Sequence, residues 1–251
     1  MEISKVLRLN SVRFGLLILV VFPLLWSYAP GIFKVYGFYL VSGFQVPALS
    51  LLSSMEFLLP LLVAIVSSEL LGMEFTHGTL PTILLRPVGR SQWLLAKVLI
   101  VALFPFLILL FFLAVSMVAG LPYGYEAFVG GTGLGATGLL GDGLLAPGGA
   151  FRELLRAYGM AAFSLVPVSL LAILFTVVLK SSAGGALATM SVLVVMQLLV
   201  VFPWLEPYLL TTQLSAYITP DARMGWVVTL VALYCTAFAA VSVVLFERKD
   251  F

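Results

Sequence analysis

Charge is what this chain has least of. Only 10% of its 251 residues are Asp, Glu, Lys or Arg, against about 25% in an ordinary soluble domain. A net charge of +2 is also too mild a basic balance to point to nucleic acid. Cysteine is nearly missing: Cys235 stands alone, so no disulfide framework exists within the chain. A single histidine, His77, has no companions for a metal site or a triad and reads as an exposed polar side chain. No Gly-Lys dipeptide occurs, which excludes a phosphate-binding GxxxxGK[ST] loop. Nucleotide hydrolysis, if this protein uses it, belongs to a partner.

What the chain has in excess is apolar side chains. They make up 62% of it, with a mean hydropathy of +1.18, far above the roughly 45–50% of soluble domains. A water-soluble fold of this length has no room to hide that much apolar surface, so its solvent is lipid. Lys5, Arg8 and Arg13 ahead of an apolar run imitate a signal peptide, complete with Ser27-Tyr28-Ala29. The uncharged run from Phe14 to Phe33 is 20 residues long, beyond the ~7–15 of a signal core, and Pro30 follows the small triplet. It reads as a retained first helix.

Crossing a bilayer takes about 20 mainly apolar residues. Charges delimit six such spans: Phe14–Phe33, Pro47–Leu71, Val98–Leu121, Ala157–Leu179, Gly184–Pro203 and Met224–Phe246. Helices are expected for all six, because an isolated strand in lipid leaves its backbone unpaired and nothing here alternates with a barrel's period of two. The expectation is a single all-α transmembrane domain over residues 1–251. With the N-terminus inside, nine of the 13 Lys and Arg residues fall on the cytoplasmic side, so the positive-inside rule puts both termini in the cytoplasm. Trp26, Tyr36, Tyr123, Tyr158, Trp204 and Trp226 gather at the opposite boundary, where amphipathic rings prefer to sit.

Three segments outside the spans carry pattern. Met1–Arg13 sets Ile3, Val6 and Leu7 apart from Lys5 and Arg8, an amphipathic helix suited to the inner interface. Pro122–Gly149 is a flexible, glycine-rich outer loop leading into an amphipathic stretch, Phe151–Arg156. Its Gly133-Leu134-Gly135-Ala136-Thr137-Gly138 matches the dinucleotide fingerprint in form only, since no strand and helix flank it. Leu205–Arg223 places Leu210, Leu214, Tyr217 and Ile218 at helical spacing between two prolines, as a short helix dipping back into the outer interface would.

Glu56 is the one charge deep within a span, about 14 Å of helix past Pro47. Intramembrane carboxylates are costly and face a cavity or a partner. Pro60 follows at i+4, so the Glu56 carbonyl loses its helical donor and the helix is expected to bend. Pro23, Pro105 and Pro167 sit within other spans. Gln197 is the second polar candidate for a pathway through the membrane.

The cytoplasmic stretch from Ser68 to Lys97 is the most specific. Gly78 turns the chain, Thr79 or Leu80 precedes a helix with Pro81 in its first turn, and Pro87 and Gly89 end it. The product is a short helix with an apolar face (Leu80, Ile83, Leu84) that needs a partner. Glu74, Gly78, Thr79, Leu80, Leu84, Leu85, Pro87, Arg90 and Lys97 together resemble a motif of the permeases of type-2 ABC exporters, with Arg86 displacing Pro87 by one position. The charged ending Phe246-Glu247-Arg248-Lys249-Asp250 is similar to the family's as well.

That resemblance implies a coupling helix within Glu74–Arg90, docked on a separate ABC ATPase subunit present in two copies. It also implies a second permease copy, identical or similar, and a prokaryotic plasma membrane. ATP and magnesium would sit on the ATPase, leaving this chain without a cofactor or an enzymatic site. Glu69 joins the coupling group as an acidic residue at the end of the second span, near Arg86 and Arg90. Gly184, Gly185, Ala188 and Thr189 offer small-residue spacing for close approach to a second copy. A lining of Phe, Leu and Met implies a hydrophobic or amphipathic cargo such as a lipid, peptide or drug. Two other classes stay open: an ion-coupled carrier or ion-extruding permease using Glu56, and a membrane anchor that scaffolds a cytoplasmic protein.

Overall fold

The computed structural model describes residues 10–29, 40–76, 90–131, 139–141, 143–218 and 221–248. Within lipid, apolar runs satisfy their backbone groups by coiling, and they do so here. The first four helices are α1 (Asn10–Tyr28), α2 (Gln45–Met55), α3 (Leu58–Thr76) and α4 (Arg90–Gly120). After a two-stranded hairpin come α5 (Pro147–Leu179), α6 (Ser182–Leu199), the short α7 (Leu210–Gln213) and α8 (Asp221–Arg248). Among the described residues six helices, α1, α3, α4, α5, α6 and α8, are long and apolar enough to cross a membrane. The chain is a multi-pass membrane protein.

The expected second span is not one rod. Glu56 and Phe57 interrupt it between α2 and α3, four residues before the position where Pro60 withholds its amide. Helical bonding resumes with Leu61 N–H donating to Phe57 O at 3.0 Å. The other three prolines leave their helices unbroken. Boundaries shift elsewhere. α4 starts at Arg90 rather than Val98, and α5 absorbs the amphipathic stretch before Ala157. α6 stops at Leu199, short of Pro203.

The bundle is organised around α5. It packs against α3, α4, α6 and α8, and 72% of its span is buried, whereas α6 and α8 reach only 17%. Small residues allow the closest approaches. Gly185 of α6 rests on Thr176 of α5, and Gly72 of α3 rests on Ser182, where added Cβ atoms would collide with the neighbour. Thr189, wholly buried, donates to the Gly185 carbonyl at 2.8 Å. Half of the small-residue stripe expected to meet a second copy therefore serves packing inside the chain. A two-residue turn joins α5 to α6: Lys180 adopts the left-handed conformation with φ 53°, and Ser181 Oγ caps α6 by accepting from Gly184 N–H at 3.2 Å.

Hydrogen bonds sort the helix ends into two poles. At one pole Ser27 Oγ donates to Ala119 O at 2.7 Å and Gly43 N–H to Gly124 O at 2.8 Å. The glycine-rich connection belongs to this pole and is more ordered than expected. Phe128–Val129 pairs antiparallel with Leu144–Leu145, Leu140 N–H donates to Glu153 Oε1 at 2.6 Å, and Gln45 Nε2 reaches Gly131 O at 2.9 Å. The fingerprint-like tract 133–138 lies outside the described residues. Nearby, the segment before α8 forms three short turns, Glu206–Tyr208, α7 and Ala216–Ile218, in place of one helix. Gln213 Nε2 donates to Pro207 O at 2.9 Å and Tyr234 OH to Tyr208 O at 2.7 Å, tying that segment to itself and to α8.

At the other pole the start of α1, the end of α3, the start of α4 and the end of α8 converge. The expected interfacial helix falls mostly on residues 1–9, which are outside the described residues, as is 77–89.

Candidate functional site

Two carboxylates expected to matter end up in opposite settings. Glu56 sits at the α2–α3 break and is exposed to a cavity of ≈ 720 Å³. Three elements build its walls. The break supplies Met55, Phe57 and Pro60, and α6 contributes Met190, Leu193, Val194 and Gln197. The turns before α8 add Glu206, Thr211, Thr212 and Tyr217. The two pathway candidates, Glu56 and Gln197, thus share one chamber although 140 residues of sequence separate them.

Its chemistry is amphipathic and acidic. No Lys, Arg or His is among the described residues lining it. The side chains of Glu56 and Glu206 make no hydrogen bond or ion pair with a described residue. Thr211 Oγ1 and Thr212 Oγ1 are buried with no partner among the described residues, and an unsatisfied buried hydroxyl costs on the order of 1–3 kcal/mol. Tyr217 lies between α7 and α8. Burial first, and then the nearby Glu56 carboxylate, push its phenol above the ordinary tyrosine range, so it remains a neutral donor. Among the described residues no three His, Cys, Asp or Glu side chains come together as a metal site would need.

Glu206, Thr211, Thr212 and Tyr217 had no place among the expected pathway residues. The spacing of Leu210, Leu214 and Tyr217 marked this segment as membrane-facing; the lone acid between Trp204 and Pro207 was the further sign that it carries polar function.

At the terminal pole the coupling candidates are partly described. Glu74 Oε1 accepts from Lys97 Nζ at 2.8 Å, with the side chains only 14% and 6% exposed. Sequence proximity pointed to surface pairing with Arg86 and Arg90. The antiparallel meeting of α3 and α4 brings the last turn of α3 opposite the second turn of α4; Arg86 and the Arg90 side chain lie outside the described residues. The Lys97 ammonium also lies 5.7 Å from the centre of the Trp93 ring, which stacks on buried Phe246 with centroids 5.5 Å apart. Glu69 accepts from the Ser11 hydroxyl of α1. These contacts fasten the first residues of α1 and α4 and the last of α3 and α8 into one knot. Arg90 is the first residue of α4; Gly78, Thr79, Leu80, Leu84, Leu85 and Pro87 lie outside the described residues.

A comparison with curated proteins returns no match. The family model described as "Protein of unknown function (DUF2705)" matches residues 16–251, all but the first few residues of the chain. By that match, which covers five of the described spans whole and most of the first, the chain belongs to the DUF2705 family.

Proposed function

We propose that this chain is the permease subunit of an ATP-driven exporter, carrying an amphipathic cargo while a separate ABC ATPase hydrolyses ATP. The observation that carries the reading is the acidic, apolar-walled chamber at the one broken helix of the bundle. Chambers of ~300–1,000 Å³ accommodate small organic ligands, and intramembrane carboxylates mark transport pathways by default. The cytoplasmic motif from Glu74 to Lys97 adds the coupling. Its apolar helix needs a protein partner, and the ion-paired knot links its flanks to four helix ends, so force on the segment would reach α1, α3, α4 and α8.

In this reading both termini face the cytoplasm of a prokaryotic cell, as the Lys and Arg asymmetry implies, and the chamber lies in the outer half of the membrane. Two ATPase copies and a second permease copy complete the assembly. The segment 205–218 is a re-entrant wall of the chamber, and the N-terminal residues form the interfacial helix.

Purification from native membranes tests the assembly. The ATPase should travel with the parent chain, and Leu84→Asp should leave the permease folded while releasing the ATPase or abolishing cargo-stimulated hydrolysis. Unchanged co-purification together with unchanged stimulation contradicts the coupling role. Transport by the chain alone, driven by an ion gradient, would favour the stand-alone carrier that uses Glu56.

A further inference from the structure

We infer that the chamber between the α2–α3 break, α6 and the turns before α8 binds an amphipathic monocation, such as a protonated amine on an aliphatic body. The inference rests on the permease reading only in calling that molecule cargo; the site itself needs no ATPase.

Glu56 and Glu206 bring two carboxylates to one chamber whose described lining residues include no cationic side chain. Neither carboxylate is engaged by a described residue, unlike Glu74, which holds Lys97 at 2.8 Å. A carboxylate among apolar walls is expensive to keep ionised without a counter-charge, and none of the described lining residues supplies one. A cationic ligand does. It gains more in this setting than in water, because apolar walls strengthen the attraction.

Hydrogen bonding narrows the head group. Thr211 Oγ1 and Thr212 Oγ1 are buried and unsatisfied. Together with the Gln197 amide oxygen they offer acceptors, which suits an N–H-bearing ammonium better than a bare metal-like charge. The remaining walls name the body of the ligand. Met55, Met190 and Phe57 are flexible or broad apolar surfaces, and methionine adapts to varied aliphatic shapes. Phe57, 57% exposed, stands at the break itself, where an apolar tail could lie against it. An anion is rejected by the same walls, since a like charge beside two carboxylates is repelled.

Decylammonium is the probe, with decyl sulfate as the anionic comparator of equal chain length. The full chain is placed in nanodiscs of phosphatidylcholine and binding is measured by equilibrium dialysis, with empty nanodiscs subtracted. The expected result is one saturable site per chain, at least ten-fold tighter for decylammonium than for decyl sulfate. The double variant E56Q/E206Q should weaken decylammonium at least ten-fold and abolish the preference for the cation. Thr211→Val with Thr212→Val should weaken it about three-fold, since hydroxyl contacts are weaker than charge. Equal affinity for the two probes, or no saturable excess over empty nanodiscs, overturns the site on the parent protein alone, whether or not the variants fold. Saturable, cation-selective binding without any effect of decylammonium on ATPase activity or transport keeps the site and removes the permease reading.

Discussion

Glu56, at the break just before α3, and Glu74, in the last turn of α3, are carboxylates at opposite ends of one helix, yet they live in opposite worlds. Glu74 ends α3 at the terminal pole, nearly buried against the Lys97 ammonium. Glu56 sits before the start of the same helix, at a broken turn, exposed to a chamber with no cationic side chain among its described lining residues. A pair closed on itself fixes helices relative to one another. The Glu56 carboxylate instead stays open to the chamber. One stretch of chain thus carries a paired acid and an open one, and the difference lies in what each one faces.

The comparison breaks most visibly at Lys97. Lys97→Ala leaves Glu74 without its 2.8 Å partner, and removing one member of a buried pair costs about 3–5 kcal/mol. Glu74→Leu combined with Lys97→Met should recover most of the loss, because an apolar pair of similar volume replaces the ions. Denaturant titration of the purified chain measures both. If Lys97→Ala unfolds with the parent, the knot is a surface feature and the contrast with Glu56 disappears.

Glycines sharpen it next. Gly72, at the terminal pole, rests on Ser182 so closely that a Cβ would strike it, whereas Gly225 has nothing within 4 Å. Gly72→Ala should cost about 1–3 kcal/mol through overpacking. Gly225→Ala should be neutral or stabilise by up to about 1 kcal/mol, since alanine is the better helix former. Equal effects at the two positions would mean that the terminal pole is no tighter than the rest of the bundle.

The smallest stability effect is expected at Glu56. Glu56→Gln keeps size and hydrogen-bonding capacity, and no described residue depends on its charge for an ion pair. Its unfolding free energy should stay within about 0.5 kcal/mol of the parent, as for substitutions outside packed or paired sites. A larger loss would place Glu56 among the structural acids with Glu74.

Much of this was legible before any coordinates. The six spans follow from apolar run length, and Pro60 pointed to the break at Glu56, although Pro23, Pro105 and Pro167 withhold the same amide inside unbroken helices. Helix ends were less legible. α4 begins at Arg90 since the charges of Arg90 and Lys97, which marked the edge of the apolar run, still fit a helix when Lys97 has Glu74 to face. α6 ends at Leu199 because the chain turns before Pro203. The chamber was legible only in part. Glu56 and Gln197 stand out as polar residues in apolar runs, but Glu206, Thr211 and Thr212 sit in a segment where polar residues are ordinary. Only tertiary packing shows that they face inward. The Lys97 partner of Glu74 was hidden for the same reason: it lies 23 residues away in sequence, and only the antiparallel packing of α3 on α4 brings the two together.

One measurement puts the two acids side by side: the unfolding midpoint of Glu74→Gln and Glu56→Gln in nanodiscs, each with and without decylammonium. A ligand that binds only the folded state raises the midpoint. The account predicts that Glu74→Gln melts well below the parent yet keeps the rise on adding decylammonium. Glu56→Gln should melt with the parent and lose most of that rise. The contrary result is a Glu56→Gln protein that melts early and keeps its ligand response, which would make Glu56 the structural acid and leave the chamber without a function.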